Sequence, residues 1–184
     1  MKTTKITIMK NVFLFTLLAV AMVFSTEATA QKFSGLDKSP ADIVTYPTSS
    51  RVPQKSIKVI YSRPQLKGRS LAELAPEGKV WRTGANECTE ITFYKDATVG
   101  GKSVKAGTYS LFTIPGEGEW TVILNSNLNQ WGAFSYDNEA DVARVMAKTS
   151  SDNEELEAFS IAFDDNGDMV MGWGTTRVTV PISI

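Results

Sequence analysis

From Thr89 onward the apolar residues of this chain recur at every second position, and turn residues interrupt them at short, regular intervals. Ile91 and Phe93 alternate with Glu90, Thr92 and Tyr94, the pattern of a strand with one buried face. Gly100-Gly101, flanked by Val99 and Val104, is a hairpin signal, and Pro115-Gly116-Glu117-Gly118 joins β-rich runs at 109–114 and 120–125. Further strands are expected at 142–148, 156–163, 169–173 and 176–182, with turns at 164–168 and at Gly174. Upstream, residues 56–62 read as the first strand, with Ile57, Val59 and Tyr61 on one face. Arg63-Pro64 ends it, because proline removes a donor and biases its predecessor to extended backbone. Only residues 70–75 read as helix: Ser70 is a cap, Glu73 stands at the third helical position and Pro76 follows. About nine short strands with one brief helix make this an all-β chain, an antiparallel β-sandwich or jelly-roll-like barrel. Parallel βαβ architecture is excluded, since its crossovers need helices that are missing here.

Residues 1–30 read as a signal peptide. Lys2, Lys5 and Lys10 form a basic start, residues 12–24 are dominated by apolar side chains, and Ala28-Thr29-Ala30 is a small-x-small cleavage pattern. The apolar run is shorter than the ~20 residues that span a bilayer, so no transmembrane segment is expected after cleavage near Ala30. The protein is therefore expected in the periplasm or outside the cell. Residues 31–50 are turn-rich, with Pro40, Pro47 and Ser49-Ser50, and read as a flexible lead-in to a single β domain at 51–184. A domain of that size buries about 70% of its unfolded-chain surface and needs no disulfide staple. Removing Lys2, Lys5, Lys10 and Glu27 from 19 cations and 20 anions leaves a net charge of about −3. Interspersed charges of that balance give no footprint for nucleic acid.

Cys88 is the only cysteine and reads as a small core residue; the chain has no histidine. Histidine-based triads and histidine-ligated zinc, copper or iron sites are thereby excluded, and any metal would need oxygen ligands. No cofactor and no metal site is expected. The acidic loop 164–168 lacks the spacing and distal glutamate of an EF-hand, and Asn166-Gly167 between apolar runs reads as a hairpin turn.

Chemistry concentrates in Lys79-Val80-Trp81-Arg82-Thr83-Gly84-Ala85-Asn86-Glu87, a mixture that neither an amphipathic helix nor a plain strand requires. Arg63, Lys67 and Arg69 lie just upstream, and Glu73 and Glu77 are the only anions between Lys55 and Arg82. Arginine forks suit carboxylate or phosphate oxygens, though they also satisfy the carbonyls of an irregular loop. Trp120 opens an alternating run and reads as core; Trp81 and Trp131 suit either the core or stacking on a sugar ring. Glu87 and Glu90 form a carboxylate pair of the kind glycosidases use, but residues three apart in one strand point to opposite faces.

Tyr61-Ser62-Arg63-Pro64, Lys67-Gly68-Arg69 and residues 79–87 together resemble an exported bacterial family, the domain of unknown function 2911, commonest in Bacteroidetes-type bacteria. Residues 106–115, 119–123 and Trp131-Gly132-Ala133 extend the resemblance over roughly 50–184. The resemblance implies no activity, substrate or cofactor. Cys88 stands where the family pattern has a small residue, so no catalytic duty for it is implied. The sequence favours a non-enzymatic, exported binding or envelope-associated domain. Its ligand surface would comprise Arg63, Arg69, Trp81, Arg82, Asn86 and Glu87, and its partner would be a small anionic or carbohydrate ligand. The alternative is a carboxylate-based hydrolase or lyase acting on glycan or cell-wall material, with Glu87 as acid or base.

Overall fold

The computed structural model describes residues 31–184 and Lys5; apart from Lys5, the expected signal peptide lies outside the described residues. Chain contacts separate a unit ending at Gly35 from the unit Leu36–Ile184, which holds everything below. Its strands are β1 (Ala41–Tyr46), β2 (Ile57–Ser62), β3 (Thr89–Phe93), β4 (Ala97–Val99), β5 (Lys102–Val104), β6 (Gly107–Ile114), β7 (Glu119–Asn125), β8 (Asp141–Phe163), β9 (Met169–Val180) and β10 (Ile182–Ser183). The α-helix of this unit, α1 (Leu71–Leu74), is a single turn in which Ser70 and Glu73 form the expected capping box.

Every sheet pairing is antiparallel. Seven strands in the order β1-β2-β3-β6-β7-β8-β9 curl into a half-barrel, and β10-β4-β5 form a small second sheet. The curl brings the far half of β8 back to β2, where the Tyr61 hydroxyl accepts a hydrogen bond from the Ile161 N–H at 3.1 Å. The alternating residues Ile57, Val59, Ile91, Phe93 and Leu111 fill the inner side almost without exposure. The outer side keeps their polar neighbours, with one small apolar cluster of Cys88, Phe112 and Ile123 covered by Ala133 and Tyr136.

The strands depart from the sequence reading in three places. The lead-in expected at 31–50 contains β1, which pairs residue for residue with β2 from Ala41–Ser62 to Tyr46–Ile57. Its Ile43-Val44-Thr45-Tyr46 run is strand-prone, but as a sheet edge it leaves Ile43 60% exposed, so polar surroundings mask the pattern. Residues between the expected strands at 142–148 and 156–163 are extended rather than looped: Thr149, Ser150 and Ser151 pair with Val178, Arg177 and Thr176. Gly174, expected as a turn, lies inside β9 with φ +55° opposite Leu156 at a register shift. It is a bulge, which bends a strand without ending it. The 164–168 turn is as expected: Asp164 Oδ1 accepts from the Asn166 and Asp168 N–H groups, both at 2.9 Å.

Candidate functional site

The signature segment lies outside the regular strands and divides its side chains between the core and the outer surface. Trp81 pairs with Thr113 of β6 in an isolated bridge and turns inward. It stacks on Trp173 with centroids 5.4 Å apart and planes 16° apart, and meets Phe159 and Trp120 edge-on. At 6% exposure it plugs the core and offers no face to a ligand, contrary to its expected place on the binding surface. Trp120 is buried as expected.

Arg63 and Arg69 are likewise committed elsewhere. Arg63 donates to Asp42 Oδ2 at 3.2 Å, to the Phe159 carbonyl at 3.1 Å and to Ser160 Oγ at 2.6 Å. Arg69 donates to the carbonyls of Leu66 and Gln65, both at 3.0 Å. Both satisfy backbone and hold the irregular connection between β2 and β3, so the six expected residues do not converge.

Thr83 and Gly84 explain why the segment is so specific. Thr83 is fully buried with φ +54°, a conformation a β-branched residue rarely adopts, and its hydroxyl meets Thr113 Oγ1 at 3.2 Å. The Thr89 hydroxyl closes the turn by donating to the Thr83 carbonyl at 2.6 Å. A Cβ on Gly84 would stand 3.0 Å from Thr89 Oγ1 and 3.1 Å from the Ser62 carbonyl, so the chain crosses β2 here at backbone contact. Strain of this kind concentrates where the surrounding structure must place a particular backbone. What it places is the stretch Asn86–Cys88.

That stretch runs beside residues 130–132. The Cys88 N–H donates to the Gln130 carbonyl at 2.7 Å, the Gly132 N–H donates to the Asn86 carbonyl at 3.0 Å, and Glu87 bridges Trp131. Asn86 has φ +59°, so the strand alternation counted back from Glu90 does not hold through it. Glu87 and Glu90 consequently line one cleft of about 230 Å³, together with Cys88, Asn129, Ile60 and Ala41. The expectation that the two carboxylates face apart is therefore wrong; it assumed a regular strand that begins only at Thr89. Glu90 Oε1 accepts from the Asn129 N–H at 2.9 Å, whereas Glu87 is exposed. Trp131 stands directly across from Glu87 and is 62% exposed, and directly opposed residues share a side of the ladder.

The loop carrying Asn129 and Trp131 is anchored on the outer side. Tyr136 donates to Asp141 Oδ2 at 2.7 Å, and Arg144 donates to that same oxygen and to the Tyr136 hydroxyl. Burial, then the Asp141 carboxylate, pushes the Tyr136 hydroxyl up to about 12. The Tyr136 ring meets Phe112 edge-on at 5.0 Å.

Cys88 is buried, and burial pushes its thiol up to about 12, against smaller opposing effects from Ser110 and the Leu111 carbonyl. It is a protonated wall of the cleft and no nucleophile at neutral pH. Arg82 is half-buried near Cys88 and forms no ion pair among the described residues; its Nε is buried without a hydrogen-bond partner. Burial pulls its guanidinium below the ordinary arginine range. Ile60, Ala41 and Asn129 escape sequence reading because strand pairing and a distant loop bring them to the cleft. Exposed Ile60 on the polar side of β2 is the one signal that alternation supplies.

Fold and cleft together define a mostly-β half-barrel domain with a small acidic cleft on its outer sheet face. The chain belongs to the family described as "Protein of unknown function (DUF2911)", whose model matches residues 39–182. No curated protein and no solved structure matches it.

Proposed function

We propose that this chain is an exported binding domain that holds a small, neutral, hydroxyl-rich ligand, a sugar unit, in the Glu87–Glu90 cleft. The observation that carries the reading is that Glu87 and Glu90 line one small cleft with Ile60 and Ala41 in its walls, while exposed Trp131, outside that lining, bridges Glu87. Carboxylates accept hydrogen bonds from hydroxyl groups and repel anions, so of the two ligand classes read from the sequence the neutral saccharide fits the cleft. A cavity of about 230 Å³ lies below the usual range for drug-sized ligands, which suits a single ring. Export rests on Lys2, Lys5, Lys10, the apolar run at 12–24 and Ala28-Thr29-Ala30.

Calorimetric titration with a panel of neutral monosaccharides and disaccharides tests this. Glu87→Gln and Glu90→Gln should each weaken binding about tenfold, the loss of one charge-assisted hydrogen bond at ~1.4 kcal/mol. Binding by the wild type that both variants retain in full would sink the assignment of the cleft.

The shared cleft also favours a second reading, carboxylate-based hydrolysis, since a glycosidase needs two carboxyl groups about one scissile bond. Hydrolysis of a bound disaccharide by the wild type, abolished in Glu87→Gln, would establish it; binding without turnover would dismiss it.

A further inference from the structure

A second and larger cleft, about 670 Å³, opens on the same sheet face and has no acidic residue in its lining. Thr45, Lys58, Tyr94 and Lys95 line it, with Pro47 and Pro53 from the loop between β1 and β2. Lys55 is occupied in holding that loop, since its Nζ donates to the Pro47 and Ser49 carbonyls, both at 2.7 Å. Lys58 and Lys95 form no ion pair among the described residues, and Tyr94 is 51% exposed.

The register places this cleft in line with the acidic one. Lys58 and Ile60 are outward-facing residues two apart on β2, one in each cleft, so about 7 Å of strand separates them. Glu90 of β3 and Tyr94, the residue that follows the strand, stand four residues apart, about 14 Å at the strand rise of ~3.4 Å. Ile60, in the wall of the acidic cleft, pairs directly with Ile43 of β1, and both are exposed. An apolar edge at the acidic cleft, with an exposed aromatic ring and two lysines in the neighbouring cleft, fits a carbohydrate chain that carries negative charge at one end.

We infer that the Lys58–Lys95 cleft is a second subsite that takes the carboxylate of an acidic sugar unit, so that the domain reads an oligosaccharide with a uronate beside a neutral unit. The tyrosine and prolines offer apolar surface to the sugar ring, and the two ammonium groups supply the charge. This deepens the proposed sugar-binding reading, and the test separates the two.

Amide-shift mapping of the full domain with galacturonate, galactose and inorganic phosphate reads each cleft by itself. Galacturonate is expected to shift the amides of Lys58, Tyr94 and Lys95, and galactose those of Cys88, Glu90 and Asn129. Lys58→Gln with Lys95→Gln should weaken galacturonate about tenfold and leave galactose unchanged, and added salt should weaken only the first. Lys95 is exposed, and half-buried Lys58 has no ion pair to lose among the described residues, so the variant keeps its fold. Galacturonate that leaves the lysine cleft undisturbed overturns the inference while a galactose response preserves the proposed function. A galacturonate response without a galactose response keeps the lysine subsite and refutes the acidic one. Phosphate acting at the lysines as strongly as galacturonate overturns the assignment to a sugar, and silence from all three probes overturns both readings.

Discussion

Two tryptophans that sequence reading treats alike, Trp81 and Trp131, should behave in opposite ways when truncated. Trp81 lies in the packed aromatic group with Trp173, Phe159 and Trp120, where its 6% exposure leaves nothing outside to replace. Truncating a buried tryptophan to alanine costs about 3–5 kcal/mol, and each aromatic pair lost adds about 0.5–1.5 kcal/mol that is not fully additive. Trp81→Ala should therefore lose about 5 kcal/mol, comparable with the whole stability of a marginal domain. For a domain of this size that is about 10–20 °C in melting temperature. Trp131 is 62% exposed, so Trp131→Ala should change stability by no more than about 0.5 kcal/mol. It should nonetheless weaken sugar binding, because the ring stands across from Glu87. Urea unfolding followed by far-UV circular dichroism measures the first effect, and calorimetric titration of the folded Trp131→Ala variant measures the second. Trp81→Phe keeps part of the edge contacts and should fold with a smaller loss, which guards against an insoluble alanine variant. A Trp81→Ala protein within 1.5 kcal/mol (about a third of the expected cost) of wild type would refute the core assignment. Unchanged sugar affinity in Trp131→Ala would refute its place at the cleft.

Other outcomes follow from single contacts. Gly84→Ala should destabilise by about 1–3 kcal/mol by thermal melting, because the new Cβ meets Thr89 Oγ1 and the Ser62 carbonyl. Arg82→Met should be neutral or stabilising by up to about 1 kcal/mol in urea unfolding, since it removes a buried Nε without a partner and keeps the packing of the stem; a clear loss would show that the guanidinium has a structural partner. The Cys88 thiol is raised to about 12 in the folded state, so the unfolded chain loses its proton first as pH rises. The contribution of Cys88 to stability is therefore full below about pH 9 and falls by about 1.4 kcal/mol per pH unit between 9 and 12. Cys88→Ala should remove that component of the alkaline slope, leaving the part that belongs to Tyr136, whose hydroxyl rises to about 12 as well. Iodoacetamide at pH 8 should label native Cys88 far more slowly than the unfolded chain, as mass spectrometry would read.

Regular alternation is legible where a strand has one dry and one wet side, as in β3, whereas β6 and β7 are buried on both sides through their middles and are legible as β-rich runs joined by a turn. β1 is hidden because an edge strand on an open sheet face carries too few buried residues to mark itself. The polar middle of β8 and the bulge at Gly174 are hidden for a related reason: cross-strand pairing holds them extended without help from hydrophobicity. The signature segment is visible as an anomaly, yet its residues divide by role in ways spacing cannot reveal. Trp81 fills the core, Arg63 and Arg69 hold a loop, and Thr83 and Gly84 make a crossing. Of the segment, only Glu87 lines the cleft. The pairing of Glu87 with Glu90 depends on a positive φ at Asn86 and on contacts with residues 130–132, which local sequence does not encode.

The central claim is that Glu87 and Glu90 hold a sugar. The most direct test is a crystal structure of the domain soaked with the neutral sugar that binds most tightly in the calorimetric panel. The expected result is a ring in the cleft with hydroxyl groups within hydrogen-bond distance of both carboxylates and a ring face near Trp131. A sugar seated elsewhere on the domain, with the Glu87–Glu90 cleft left to solvent, would contradict it.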